Sequence, residues 1–242
     1  DAASCNNLIC VVMPGGELRA WGRNGRRQCE VPAGLPKIRE IAVGSDFIVA
    51  LGENGSVHCF GDDRYGACRP PSGLPKIVKI AAGKEFAAAL TTLGVVEQWG
   101  LGLTSDVPSA IMKPRPRELG KVVDFSAGAS HLVVLTEEGK VYAWGANAEG
   151  QCDVPADLKD VVMVSAGDLF SAALDRNGRV RIWGDAKLPG NLPQMKSISA
   201  GSGVLAGVTL NGEVAGYVLR QSVYKDEMAM PYGVFKTYET KP

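Results

Sequence analysis

The sequence is poor in the features that usually announce chemistry. It has two histidines in 242 residues, His58 and His131, and neither sits beside a cluster of acids or thiols. A catalytic triad or a tetrahedral zinc site needs convergent side chains that this spacing does not supply. Its six cysteines form no C-x-x-C pair, which excludes a zinc ribbon and a thioredoxin-type motif. Charge of one sign is also missing: 26 Lys and Arg face 26 Asp and Glu. A general nucleic-acid binder needs a basic excess to displace counterions, so none is expected here. No apolar run approaches the ~18 residues that read as a membrane helix, and the first residues show no signal-peptide pattern. No glycine-rich loop precedes a helix, so no nucleotide cradle is visible. Cofactors, metals and a small-molecule substrate are not expected.

What is present is punctuation. The chain has 30 glycines and 14 prolines, which implies many short elements and tight turns and argues against helical bundles. The punctuation is periodic. An aromatic residue recurs at Trp21, Phe60, Trp99, Trp144, Trp183 and Tyr217. The steps from Trp21 to Phe60, Phe60 to Trp99 and Trp144 to Trp183 are equal; the step from Trp99 to Trp144 is longer and the last is shorter. A glycine five positions earlier, at Gly16, Gly55, Gly94, Gly139, Gly178 and Gly212, keeps the same steps. So do Gly44, Gly83, Gly128, Gly167 and Gly201. A period of roughly 40 residues indicates a propeller or a solenoid.

Each unit reads as β. In Phe47 to Phe60 an apolar run meets a Gly-Glu-Asn-Gly turn, and an alternating run follows, the pattern of a hairpin. The hairpins fall at about 5–22, 44–61, 83–100, 128–145, 167–184 and 201–218. Between them lies room for a short strand, as at Cys29–Val31, and then an inner strand, as at Ile38–Ala42. Four short strands make one propeller blade. The expectation is therefore an all-β, six-bladed β-propeller forming a single domain over 1–242. The chain opens on its first hairpin with no strand before it. The C-terminal segment 219–242 is expected to supply that strand, from 233–240, and close the ring.

The best copy of the unit runs from Ala127-Gly128 through His131 to Trp144-Gly145, then Gly150-Gln151-Cys152-Asp153-Val154-Pro155. It resembles the regulator of chromosome condensation repeat, and the resemblance covers about residues 3–218. The resemblance implies a β-propeller but no single task. The family includes an exchange factor for a small nuclear GTPase, an ultraviolet-B photoreceptor and a bacterial inhibitor of β-lactamases. Blades as short as these lack the long loops of the exchange factor. All four tryptophans sit at the repeat position, whereas the photoreceptor needs a cluster of others. The inhibitor, a ring that binds protein through one rim, is the closer match in blade length.

The remaining residues are read as follows. His131 stands where sister repeats have Phe47, Phe86 and Phe170, so packing is expected. Cys29, Cys68 and Cys152 are equivalent positions in different blades; they radiate from the axis and are not expected to pair. Function is expected where the repeat breaks its own rule. The loops after the aromatic-glycine pairs differ, with Arg23, Arg26 and Arg27 in one and Asp62, Asp63, Arg64 and Tyr65 in the next. The third unit carries an insertion with Met112, Lys113, Arg115 and Arg117, a proline-stiffened basic arm. The tail holds Tyr232 and Phe235. These are the candidate partner-binding residues; the aromatics and glycines of the repeat are structural. The expected role is a non-enzymatic scaffold or accessory subunit in a larger assembly, with docking to a membrane complex open. The alternative is a soluble inhibitor or regulator of an enzyme or GTPase. A chain starting at Asp1 rather than Met suggests processing and an organelle, and otherwise the cytoplasm.

Overall fold

The computed structural model describes residues 1–5, 7–101, 112–188, 190 and 192–219. Six small antiparallel sheets follow one another along the chain as a six-bladed β-propeller. Blade 1 is β1 (Ala2–Cys5), β2 (Leu8–Val12) and β3 (Leu18–Gly22). Blade 2 is β4 (Ile38–Val43), β5 (Phe47–Gly52) and β6 (Val57–Gly61). Blade 3 is β7 (Ile77–Ala82), β8 (Phe86–Thr91) and β9 (Val96–Gly100). Blade 4 adds β10 (Met112–Lys113) to β11 (Val122–Ala127), β12 (His131–Thr136) and β13 (Val141–Ala146). Blade 5 is β14 (Val161–Ala166), β15 (Phe170–Asp175) and β16 (Val180–Gly184), and blade 6 is β17 (Met195–Ala200), β18 (Val204–Thr209) and β19 (Val214–Val218).

The middle strands explain the sequence pattern. Every residue of β5, β8 and β12 is buried, because each such strand is covered on both faces by neighbouring blades. Alternate side chains then enter different cores. Phe47, Val49 and Leu51 pack towards blade 3, while Ile48 and Ala50 pack towards blade 1. The repeat aromatic closes each cluster from the following blade. The Trp99 indole N–H donates to the Ala67 carbonyl (2.8 Å), that of Trp183 to the Gln151 carbonyl (2.9 Å), and that of Trp144 to Gln98 Oε1 (2.9 Å).

Two glycines of the repeat have steric causes. A Cβ on Gly44 would lie 2.0 Å from the Phe47 ring, so the aromatic folds back onto its own turn. Gly61 has φ +111° and a Cβ there would meet the Asp46 carbonyl at 2.5 Å.

A polar ladder links the inner strands. The N–H of Ile41 donates to Asp1 Oδ2 (2.9 Å), that of Ile80 to Glu40 Oε1 (3.1 Å) and that of Val164 to Asp124 Oδ2 (3.2 Å). Asp1, Glu40 and Asp124 hold one equivalent position, so each carboxylate satisfies a backbone donor of the next blade. Burial pushes the Glu40 carboxyl above its ordinary value.

Three expectations change. First, among the described residues five blades have three strands, not four. The segment around Cys29–Val31 forms a turn, held by Asn24 Oδ1 accepting from the Cys29 N–H (2.9 Å). Pro32 and Pro36 lack ladder donors, and the link over 23–37 is consumed in turns. Second, β1 occupies the inner-strand place of blade 1, so that blade is not waiting for a strand. The assignment of 233–240 to that place, and all of 219–242 beyond Leu219, lies outside the described residues. Third, Trp21 is 48% exposed and is not a core aromatic like Trp99, Trp144 and Trp183.

Candidate functional site: the turn end of blades 1 and 2

In each of these blades the loop after the last strand returns beside the turn between the first two strands. The Asp62 N–H donates to the Asp46 carbonyl (2.9 Å), and the Arg23 N–H donates to the Asn7 carbonyl (2.7 Å). The register therefore brings Arg23, Arg26, Arg27, Asp62, Asp63, Arg64 and Tyr65 to one end of the propeller, on adjacent blades.

Charges at this end pair across the blade boundary. Arg26 lies 3.8 Å from Asp62, and Arg23 lies 3.8 Å from Asp46. The Gln28 amide also donates to Asp46 (3.1 Å). Arg64 Nε donates to Asp62 at 2.7 Å, and Arg69 Nε to Asp63 at 2.6 Å. The hydrogen bonds from Arg64 hold the Asp62 carboxyl below the usual carboxylate range. Arg27, wholly at the surface, pairs with Glu30 (3.1 Å). The basic loop of blade 1 is thus largely neutralised by acids, most of them from blade 2.

Tyr65 stands out from this end. It is 43% exposed, and the Arg64 guanidinium carbon sits 5.7 Å from its ring centre. A small pocket of about 40 Å³ lies between Asp46, Asp62, Arg64, Tyr65, Lys84 and Glu85. Sequence reasoning missed Asp46, Lys84 and Glu85. Their signal was positional: each follows the Gly44 or Gly83 marker by one or two places.

The insertion does not join these residues, because it packs on blade 4. Met112 and Lys113 form β10, paired with Ala146 and Gly145 on the outer edge of blade 4. Lys113 Nζ donates to the Cys152 carbonyl (2.6 Å). The Arg115 guanidinium donates to the Val96 carbonyl (3.0 Å) and lies over the Trp144 ring (5.5 Å). Most of the described arm is therefore strapped to the propeller, and Arg117 is left at the surface. Tyr232 and Phe235 lie outside the described residues. A wider groove of about 440 Å³ at the other end of blade 5, lined by Asp157, Asp160, Asp175, Arg179 and Arg181, was not foreseen. Its Arg181 is engaged by Asp157 (2.8 Å).

Several groups that could do chemistry are enclosed, although His58 and Cys29 are only half-buried. His131 is fully buried, and burial lowers its pKa to about 4, so the ring is neutral near pH 7. Ser171 Oγ donates to the Gln151 carbonyl (2.7 Å), which leaves it to accept from His131 Nε2 (3.0 Å). Among the described residues no carboxylate orients the ring by a hydrogen bond, and the ring has no surface for a substrate to reach. Burial pushes Cys10 up to about 11 and Cys68 and Cys152 up to about 12, and Cys59 higher still. Such thiols are not nucleophiles at neutral pH. Among the described residues no group of three His, Cys, Asp or Glu could hold a metal ion.

The family model of the regulator of chromosome condensation (RCC1) repeat matches residues 38–67, 122–151 and 161–186. The chain is an RCC1-type β-propeller. The RCC1 matches fall on blades 2, 4 and 5, whose glycine and ring markers are intact. Blade 3 is followed by the insertion, and blade 6 replaces the ring by Val204 and the glycine after the aromatic by Val218. The yeast RCC1 protein Prp20, in a crystal structure bound to Kap60, is similar over 89% of this chain and 69% of its own, with TM-score 0.73 and 21% identity. The ectodomain of the Physcomitrella patens receptor kinase CR4 is similar over 88% and 59%, with TM-score 0.71 and 18% identity. Human WBSCR16 is similar over 88% and 75%, with TM-score 0.71 and 16% identity. At these identities the likeness is one of fold. No curated protein sequence matches the chain.

Proposed function

We propose that this RCC1-type propeller is a non-enzymatic protein-binding module, one domain over 1–242, that docks a partner at the turn end of blades 1 and 2 as a scaffold or accessory subunit. The observation that carries this reading is Tyr65 with Arg64, raised on a rigid, charge-paired rim. Tyr and Arg are the residue types that dominate binding energy at interfaces. Alternating charge around them would set the partner's orientation more than its affinity. The yeast relative Prp20 is described bound to Kap60 and as binding Gsp1p and histones, so the fold serves protein recognition there. Neutral net charge and the enclosure of His131, Cys10 and Cys152 favour binding over catalysis or nucleic-acid recognition.

A second reading is a soluble regulator that caps one enzyme or GTPase, as an inhibitor or an exchange-like factor. The short, pre-organised loops at the same end favour it, because a rigid rim binds with little ordering cost.

The test is affinity for the natural partner after Arg64→Ala and Tyr65→Ala, alone and together. Each should weaken binding roughly tenfold or more, the loss of a hot-spot side chain, with the melting temperature unchanged. Unchanged affinity in the double variant would remove this end as the docking surface.

A further inference from the structure

Every hairpin tip of the propeller carries an acidic or basic residue except that of blade 3, Thr92-Leu93-Gly94-Val95. Leu93 is 72% exposed and stands where sister blades have Asn54, Glu138 and Asn177. Val95 is 44% exposed and stands where they have Ser56, Lys140 and Arg179. The tip is nonetheless held firmly. Thr91 Oγ1 accepts from the Val95 N–H (3.1 Å), and the Gly94 N–H donates to the Thr91 carbonyl (3.0 Å). The turn requires glycine at Gly94, with φ +78°, but the sister tips show that it does not require aliphatic neighbours.

This tip is wedged between two inner strands. The Thr92 N–H donates to the Lys76 carbonyl (3.0 Å) just before β7, and the Gly94 carbonyl accepts from the Val122 N–H (2.9 Å) of β11. Both strands bulge at their first turn of the ladder, between Ile77 and Lys79 and between Val122 and Asp124. A bulge re-aims the extra side chain, and here Val78 and Val123 are left 38% and 47% exposed. Blade 2 has Arg39 at this position, and its guanidinium donates to the Val78 carbonyl (2.9 Å), so the bulges of adjacent blades lie side by side. Leu93, Val95, Val78 and Val123 are thereby gathered at one end of blades 3 and 4. That end is opposite to Tyr65: β8 runs from Glu85, which shares the pocket with Tyr65, to Thr91 beside the tip, about 20 Å by strand rise.

The free charge beside these four residues is basic. Arg39 and Lys76 are exposed and form no ion pair among the described residues, while Lys121 is engaged by Glu137 (2.8 Å). A second copy docked on the same surface across a two-fold axis would set these cations against their own kind. Exposed aliphatic side chains on a rigid turn mark an interaction surface, and the cations select an acidic occupant.

We propose that the tip of blade 3, with Val78 and Val123, is a second docking surface whose occupant is a segment of a partner protein in which an apolar side chain is flanked by carboxylates. Leu93 and Val95 supply the buried contact, and Arg39 and Lys76 orient the segment. The surface shares no residue with the Tyr65 end, so the propeller holds two partners at its two ends.

The test presents a displayed library of random peptides to the immobilised full chain and measures the selected peptides by calorimetry. The expected sequences combine apolar with acidic residues, and their affinity falls with added salt. Leu93→Asn with Val95→Ser transplants the blade 2 tip onto blade 3 and should weaken binding about tenfold or more. Lys76→Glu should do the same, and Arg64→Ala with Tyr65→Ala should leave these peptides bound. Selected peptides without acids, peptides whose affinity survives the transplant, or a library that yields no binder would each overturn the proposal. Two other occupants have their own signatures. A dimer in sedimentation that the transplant abolishes would assign the surface to a second copy and overturn the proposal. Flotation with vesicles of phosphatidylcholine and phosphatidylserine that the transplant abolishes would assign it to a membrane and overturn the proposal as well.

Discussion

The Phe86 ring fills the space that a side chain on Gly83 would need: a Cβ there would stand 1.9 Å from the ring. Phe170 and Gly167 repeat the relationship at 2.2 Å. Gly83→Ala should therefore cost about 1–3 kcal/mol, the range for overpacking a filled core, measured by urea unfolding. Gly201→Ala is the matched control. Gly201 has nothing within 4 Å of its Cβ, because Val204 replaces the ring, and the variant should unfold at the wild-type midpoint.

The buried His131 makes stability depend on pH in a known direction. Its folded pKa, about 4, lies below the ordinary 6.5. The unfolded chain therefore binds the proton more readily than the folded one. The fold keeps its full stability above pH 6.5 and loses it as pH falls towards 4. The loss attributable to this residue is roughly 3 kcal/mol, from the free energy that corresponds to lowering a pKa that far. In His131→Phe, which restores the residue type of the sister blades, the difference between unfolding free energies at pH 7 and pH 4 should shrink by that amount. Carboxylate protonation is common to both proteins and cancels.

The thiols of Cys10 and Cys152 should be silent while the protein is folded. Cys10 and Cys152 are fully buried and their pKa values are raised. At pH 8 neither should react with a disulfide reagent on the timescale of minutes, whereas both should react at once in denaturant. Rapid labelling of Cys152 in native protein would show that the blade 4–5 cluster opens.

Replacing Lys113 should loosen the outer edge of blade 4. Its ammonium donates to the Cys152 carbonyl at 2.6 Å and bridges β10 to the link that follows β13. Lys113→Met should speed amide exchange in β10 and at Gly145, and leave the Ala146 N–H, bonded to the Ser130 carbonyl, and the β11–β12 ladder protected. The free-energy cost should be about 1 kcal/mol, that of one charged hydrogen bond in a partly exposed site.

The architecture was legible because its markers are steric necessities. Gly44 cannot change while Phe47 folds over it, and Gly61 cannot change while Asp46 sits against it. Such constraints recur in every intact blade and so appear as a period. The missing outer strand was not legible, because strand and turn readings of Cys29–Val31 share the same residues and differ only in how Asn24 caps the link. Strand β1 was overlooked since Ala2–Cys5 is short and lacks the branched residues of a usual strand. At the candidate site, Arg64 and Tyr65 were visible as departures from the repeat. Their neighbours Asp46, Lys84 and Glu85 were not, because turn residues vary without breaking any period and only the register places them beside Asp62.

The central claim is that this propeller works by holding another protein. Native mass spectrometry of the protein isolated from its own source tests it most directly. The account predicts a stoichiometric complex with at least one other chain, whose recovery falls when Tyr65 and Arg64 are replaced. A bare species of 25.5 kDa, with no partner retained under gentle conditions, would contradict the subunit reading.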